Sequence, residues 1–265
     1  MKVAVCIKGQ PRNYKVGFDS INREIISKYD TDVFGHAWWD PQEVGKSYFH
    51  APWALPSTIQ PDLDKILPEL YHFKKFTIEP TIIFPQNRIY EVSEGTKPNR
   101  EKFIQILLSS YYSLKCVLTL MEEYEKENNI DYDWLFLTRY DIGIFSLPKL
   151  DTLDRDKIYT SNMHRGRKYI FSDCAIIFGK HKFVLKNMFE DFDKNYDRVM
   201  NLSIHDMEET GYDNELINTK ALVGEPNIAF NFLFNGVLNN VIKHPEMMCN
   251  LIRDGHDPSI NTYQI

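Results

Sequence analysis

An apolar stretch that ends abruptly in polar residues constrains the fold of this chain more than any other feature. Trp134 to Leu137 contain no turn former and predict a buried strand, and Thr138, Arg139 and Asp141 follow directly. In open α/β sheets, ligands bind beyond the carboxyl ends of the strands. We therefore expect functional residues at the end of this strand.

The rest of the chain alternates between strand-like and helix-like segments. Residues 2–7 predict a first strand, Asn13 lies where it could cap a helix, and residues 31–38 predict a second strand. Apolar residues between 100 and 128 recur with the 3.6-residue period of an amphipathic helix that leads to the 134–137 strand. This pattern predicts an α/β fold with a central, mostly parallel sheet flanked by helices. Further strands are predicted at 76–79, 157–160 and 174–178, and further helices at 61–70, 182–196 and 214–222.

Composition excludes several classes of function. The net charge is −6 and no run of Lys and Arg is present, so the basic stripe of a nucleic-acid-binding protein is missing. The four cysteines form no C-x-x-C pair, which favours reduced thiols and a cytoplasmic location. No apolar run approaches the roughly 20 residues that span a bilayer, so we expect at most peripheral membrane contact. Phosphate-loop, dinucleotide-binding, serine-hydrolase and zinc-protease signatures are also missing, which disfavours those enzyme classes.

Three groups of polar residues at predicted strand ends are candidates for a site. After the first strand come Gly9, Gln10 and Arg12, which could approach a ligand with backbone, amide and guanidinium, or simply form a tight turn. His36 on the second strand could bind a ligand or be a packed core histidine. Asp141 could hold a divalent cation while Arg139 binds phosphate, or the two could form a structural ion pair.

Two further groups are more ambiguous. Ser109, Ser110, Tyr112 and Ser113 interrupt the apolar face of the long helix, where small residues often only permit close packing. Carboxylates at Asp173, Asp213 and Glu215 adjoin predicted strands and helices, and capping is the simpler explanation for Asp213.

The ordered set of segments resembles a group of GT-A-type glycosyltransferases from bacterial surface-polysaccharide clusters and large DNA viruses. The resemblance is good over 1–180, which would be the nucleotide-sugar-binding part, and looser over 181–265, the acceptor side of one domain spanning 1–265. The segments that carry it are Lys8-Gly9-Gln10-Pro11-Arg12, Asp32-Val33-Phe34-Gly35-His36-Ala37-Trp38, Ser110-Tyr111-Tyr112-Ser113, Thr138-Arg139-Tyr140-Asp141 and Ser172-Asp173.

The resemblance implies a transferase that moves a hexosyl or pentosyl group from a nucleotide sugar to a glycan or other hydroxyl acceptor. In such enzymes a D-x-D motif binds a divalent metal and the donor diphosphate; here Arg139 replaces the first Asp and Asp141 is retained. Asp141 would then ligate Mn²⁺ or Mg²⁺.

The same resemblance assigns the other roles. Five residues would contact the donor and three would compete for the role of general base. The donor contacts are Gly9, Gln10, Arg12, His36 and Arg139, and the candidate bases are Glu215, Asp173 and Asp213. Two other functions stay open: a non-catalytic carbohydrate-binding or scaffold protein, and a nucleotidyltransferase on a similar sheet.

Overall fold

A seven-stranded sheet lies at the centre of the protein. The computed structural model describes residues 1–48, 57–91, 94–162, 171, 174–202 and 224–251. Its strands are β1 (Lys2–Gly9), β2 (Asp30–Trp38), β3 (Ser47–Tyr48), β4 (Ser57–Thr58), β5 (Lys75–Glu79), β6 (Trp134–Arg139), β7 (Ile142–Ser146), β8 (Ile158–Thr160), β9 (Ala175–Phe178), β10 (Val241–Lys243) and β11 (Met248–Leu251). The central sheet has the order β10-β8-β9-β6-β1-β2-β5, and only β9 runs against the other six strands.

Helices cover both faces of this sheet. The α-helices are α1 (Tyr14–Ile21), α2 (Leu63–Tyr71), α3 (Arg100–Asn128), α4 (Phe192–Asn201) and α5 (Gly224–Phe234). Shorter helical turns are Asn22–Ile26 (π-type) and Pro41–Glu43, Glu94–Asn99, Leu150–Thr152, Lys186–Met188 and Leu238–Asn240 (3-10 type). Leu135 and Leu137 pack in the core formed with α3, α4 and α5, whereas Trp134 and Phe136 pack in the core formed with α1 and α2. This alternation along β6 follows from the two-residue period of a strand, and the predicted fold class is confirmed.

The strand order creates a crevice between β1 and β6. From β1 the chain proceeds outward through β2 and β5, and β6 then lies on the other side of β1. At such a position the connections from two adjacent parallel strands go to opposite sides of the sheet. This is a topological switch point, where ligands bind in open α/β sheets. Lys8 is the register partner of Arg139, so the polar ends of β1 and β6 lie side by side.

Helix α3 agrees with its predicted bounds and is the central crossover of the fold. By length and composition alone it could cross a membrane. Its buried residues, including Leu107, Tyr111, Leu118 and Met121, instead pack in the core against the sheet. The core helix of a soluble protein has this same character, so burial accounts for the apolar composition of α3.

The helix predicted at 182–196 is wrong over its first two thirds, 182–191. Residues 181–191 form successive turns, with bonds from Val184 N to His181 O and from Lys186 N to Phe183 O, and α4 begins only at Phe192. The reason is tertiary, because Lys182 Nζ is held by Glu125 at 2.6 Å and by Asp131 at 2.7 Å.

Strands β7, β10 and β11 were not apparent in the sequence. β11 pairs antiparallel with β7, and β10 extends the edge of the central sheet. The helix predicted at 214–222 lies outside the described residues.

Candidate functional site

The carboxyl end of β1 is held by serines of α3. Gly9 has a φ of 101°, a left-handed conformation that glycine adopts without strain. Its amide donates to Ser113 Oγ at 3.0 Å, and Lys8 Nζ donates to Ser110 Oγ at 2.9 Å. Lys8 is only 4% exposed, so a cationic side chain is built into the switch point.

The Arg139 and Asp141 side chains form a bidentate ion pair. Arg139 Nε donates to Asp141 Oδ1 and Arg139 Nη2 to Asp141 Oδ2, both at 2.9 Å. Arg12 Nη2 lies 3.3 Å from the same Oδ2, so the residues after β1 and β6 meet as the strand order requires. The Asp141 side chain is 1% exposed, whereas those of Arg12 and Arg139 are 11% and 21% exposed.

This arrangement does not suit a Mn²⁺ or Mg²⁺ ion at Asp141. Both carboxylate oxygens already accept from guanidinium groups, and a cation approaching them would meet two like charges. Hard divalent cations need oxygen ligands that face the ion. The metal-ligand role of Asp141 stays a prediction that requires this pairing to open, and the described geometry matches the ion-pair alternative.

His36 is the centre of a hydrogen-bond network, referred to below as the relay, that joins Glu79 to Ser113. Its Nδ1 lies 2.8 Å from Ser113 Oγ and its Nε2 lies 2.8 Å from Glu79 Oε1, while the ring itself is fully buried. Burial lowers the pKa of His36, although the hydrogen bond to Glu79 acts in the opposite direction. Because Ser113 also accepts from Gly9, the relay connects Glu79 on β5 to the end of β1. A direct contact of His36 with a donor stays a prediction.

Cys116 and Tyr112 complete the surroundings of this relay. Burial raises the pKa of the Cys116 thiol to about 11 and that of Tyr112 to about 12. The Tyr112 ring stacks on Trp38, with centroids 5.4 Å apart. His36, Glu79 and Cys116 offer ligand atoms that all lie within 4.8 Å of one another. Over the ranges that the structure describes, no other group of three such residues lies close enough to share an ion.

A cleft of about 310 Å³ opens beside the switch point. Gln10 and Arg12 line it from the loop after β1, and Trp38 and Trp39 line it from the end of β2. Trp39 Nε1 donates to the Gln60 carbonyl at 2.9 Å, which fixes that ring. The cleft thus combines a guanidinium, an amide and aromatic rings at the carboxyl ends of parallel strands.

The three candidate bases lie outside the described residues. Asp173 lies in 172–173, and Asp213 and Glu215 lie in 203–223. Their role as general base therefore stays a prediction.

The sequence did not predict the hydrogen bonds that hold the candidate site in place. The sequence pattern assigns no separate role to Lys8 or Glu79, and it favours close packing for Ser110 and Ser113. In the structure these four residues hold the end of β1 and His36. The signal was available in part, because Ser110 and Ser113 are three residues apart on one face of α3 and Lys8 ends an apolar strand. The contact of Glu79 with His36 depends on β5 pairing with β2, which no local pattern indicates.

Comparisons with known proteins give low similarities. No family model matches the chain, and no curated protein matches it. Among solved structures, the apo form of the glycosyltransferase GlyE from Streptococcus pneumoniae TIGR4 has 11% identity and a TM-score of 0.36 over 91% of this chain and 44% of that one. The chain thus spans less than half of GlyE.

Two other solved structures are similar at the same level. The galactosyltransferase LgtC, solved with donor and acceptor sugar analogues, has 11% identity and a TM-score of 0.38 over 92% of this chain and 73% of that one. A nucleoside-diphosphate-sugar pyrophosphorylase from Vibrio cholerae RC9 has 11% identity and a TM-score of 0.29 over 92% and 91%. All these TM-scores are low, and no functional conclusion follows from them.

Proposed function

We propose that this protein is a glycosyltransferase that moves a sugar from a nucleotide-sugar donor to a hydroxyl acceptor. The donor diphosphate would bind at the switch point between β1 and β6. Arg12 and Arg139 would hold its phosphate oxygens, and the buried Lys8 would add a further positive charge. The motif resemblance in the sequence suggests the reaction class, and the contacts described above suggest the binding mode.

One observation carries this proposal. Two guanidinium groups, those of Arg12 and Arg139, face one buried carboxylate, that of Asp141, at the carboxyl ends of β1 and β6. The cluster of these three residues carries a net positive charge and adjoins the cleft, because Arg12 belongs to both. A planar guanidinium that Asp141 already orients would bind a phosphate with little further loss of side-chain freedom.

The cleft would hold the neutral part of the donor. Trp38 and Trp39, both largely buried, line it with the accessible parts of their rings, and Gln10 supplies amide hydrogen bonds. Sugar and base rings stack on such surfaces while amide groups fix their orientation. The diphosphate would then extend from this cleft towards Arg139.

The chemistry requires negative charge to be stabilised on the leaving group. During transfer the bond from the anomeric carbon to the diphosphate oxygen breaks, and a bond to the acceptor hydroxyl oxygen forms. Positioned cations lower the barrier because they stabilise the charge that develops on the departing diphosphate. The acceptor proton would pass to a carboxylate, for which Glu215, Asp173 and Asp213 are the proposed candidates.

Nucleotide binding measured by calorimetry tests this proposal. UDP and GDP are titrated into the wild-type protein and into Arg12→Gln and Arg139→Gln, with EDTA present and then with Mn²⁺. We expect binding that survives EDTA and that weakens by about tenfold or more in each variant, because charge-assisted hydrogen bonds contribute about 1.5–3 kcal/mol. Arg88→Gln is the matched control, since Arg88 pairs with Asp197 away from the cleft.

Other results of these measurements would favour the two alternative functions or a metal-dependent binding mode. No binding of any nucleotide would favour a carbohydrate-binding or scaffold protein, and pyrophosphate release from a nucleoside triphosphate would favour a nucleotidyltransferase. Binding that occurs only with Mn²⁺ would contradict the arginine-based mode and restore Asp141 as the metal ligand.

A further inference from the structure

A second cluster of reactive side chains lies where β2, β5 and α3 meet. It consists of His36 on β2, Glu79 at the end of β5 and Cys116 on α3. We propose that these three residues form a binding site for Zn²⁺ or a similar borderline divalent cation. This site is separate from the Arg12–Arg139–Asp141 cluster and does not depend on the proposed transferase function.

The donor set determines the class of ion. An imidazole nitrogen, a carboxylate oxygen and a thiolate sulfur together are typical zinc ligands. Mg²⁺ and Mn²⁺ prefer oxygen ligands, so a thiolate in the set selects against them. One carboxylate and one thiolate would also balance the two positive charges of the ion.

The geometry is close to that of a metal site. His36 Nε2 and Glu79 Oε1 are 2.8 Å apart, and all three ligand atoms lie within 4.8 Å of one another. Tetrahedral zinc bonds of about 2.0–2.3 Å place ligand atoms about 3.3–3.7 Å apart. The carboxylate and the imidazole would therefore separate slightly while the sulfur moves inward, which are shifts within the reach of side-chain rotation.

His36 already has the outer partner that a zinc-bound histidine requires. A metal on Nε2 leaves Nδ1 to carry the proton, and Ser113 Oγ lies 2.8 Å from Nδ1. Ser113 is itself fully buried and fixed by the Gly9 amide. The imidazole is thus held in one orientation by the protein before any ion arrives, which favours a binding site over a chance contact.

The site also has a route of entry. The His36 ring is fully buried, but the Glu79 side chain is 27% exposed and Cys116 is partly exposed. An ion could reach the cluster from the side of Glu79 and Cys116. A fourth position would remain for water, as in zinc sites with three protein ligands.

Metal titration tests the proposal. Protein stripped with a chelator is titrated with Zn²⁺ against a chromophoric competitor, and with Co²⁺ while absorption is recorded. We expect one ion per chain and a thiolate-to-cobalt charge-transfer band in the near ultraviolet. Cys116→Ala should remove that band and weaken Zn²⁺ binding by more than the about 10–100-fold typical of losing an outer-shell partner.

Control variants distinguish loss of a zinc ligand from a general effect of substitution. Cys249→Ala, which removes a cysteine on β11, should leave the band and the affinity unchanged. Ser113→Ala should weaken binding about 10–100-fold, whereas Ser109→Ala one turn away should not. Glu79→Gln provides a second ligand variant if Cys116→Ala fails to fold. A stripped protein that binds no Zn²⁺, or a Cys116→Ala variant that binds as tightly as wild type, would overturn the proposal.

Discussion

At the scale of single residues, Asp141 is the side chain whose surroundings matter most. The carboxylate is nearly inaccessible and serves as the common partner of Arg12 and Arg139. It therefore orients the two groups that would hold a phosphate, which makes it a positioning residue in the proposed site. An acid at the end of a strand can thus contribute to anion binding without touching the anion.

Asp141→Asn should reduce the free energy of unfolding by about 3 kcal/mol, because removing one partner of a buried ion pair leaves the other charge uncompensated. We expect the low end of the usual range, since Arg12 and Arg139 retain some access to water. Urea denaturation measures the change. The exposed Asp151→Asn is the control, and equal stability of the two variants would contradict the structural role of Asp141.

The surroundings of Asp32 predict a second measurable effect, which concerns how the free energy of unfolding depends on pH. Burial would raise the pKa of Asp32, but the Tyr132 hydrogen bond at 2.8 Å and the Lys2 side chain at 3.1 Å lower it overall. A folded-state pKa below the unfolded value stabilises the protein above about pH 3.9. That stabilisation is lost as the pH falls through the folded pKa.

Asp32→Asn should therefore flatten the loss of stability between neutral and acid pH, as followed by urea midpoints in a series of buffers. Asp30→Asn should leave the pH profile as it is, because Asp30 is mostly exposed and contacts Lys2 only at 3.6 Å. If the stability of Asp32→Asn depended on pH as that of the wild type does, Asp32 would not be the source of the acid-induced loss of stability.

At the scale of elements, α1 sets the position of the turn that contains Asp141. A Cβ on Gly17 would overlap the carbonyl oxygen of Tyr140, so the helix approaches this turn too closely for any side chain. Ser20 Oγ adds a hydrogen bond to the Ile142 carbonyl at 3.2 Å. The packing of α1 thus fixes the backbone on both sides of Asp141.

Gly17→Ala should destabilise the protein by about 1–3 kcal/mol, the usual cost of overpacking, despite the helix propensity of alanine. Displacement of Tyr140 should also weaken nucleotide binding. Asp19→Ala, an exposed change on the same helix, should do neither. Thermal unfolding and calorimetry measure the two effects, and a Gly17→Ala variant as stable as wild type would contradict the close approach.

At the scale of the whole molecule, one sheet joins two cores. Leu135 lies in the core with α3, and its neighbour Phe136 lies in the core with α1 and α2. Neither helical layer can separate without exposing the same strand. The layers should therefore unfold together.

Leu135→Ala and Phe136→Ala should each lower stability by about 2–5 kcal/mol and shift one shared transition. Near-ultraviolet circular dichroism and tryptophan fluorescence should report the same midpoint in each variant. Two separated transitions would contradict the single domain predicted over 1–265.

Short-range pattern determined most of the elements. The helical period over 100–128 corresponds to α3, and the apolar run before Thr138 corresponds to β6. These agree because burial periodicity is a local property of the chain. The turns at 181–191 and the strands β7, β10 and β11 were missed because they depend on distant partners.

The sequence by itself determined that this is an α/β protein with polar residues where its strands end. Only the tertiary structure decided what those residues do, because Arg12 reaches Asp141 and His36 reaches Ser113 across long separations in the chain. These contacts arise from the strand order and from the docking of α3 on the sheet. The physical reason is that the charge and hydrogen-bonding capacity of a side chain are local, whereas its partners are chosen by the packing of the whole chain.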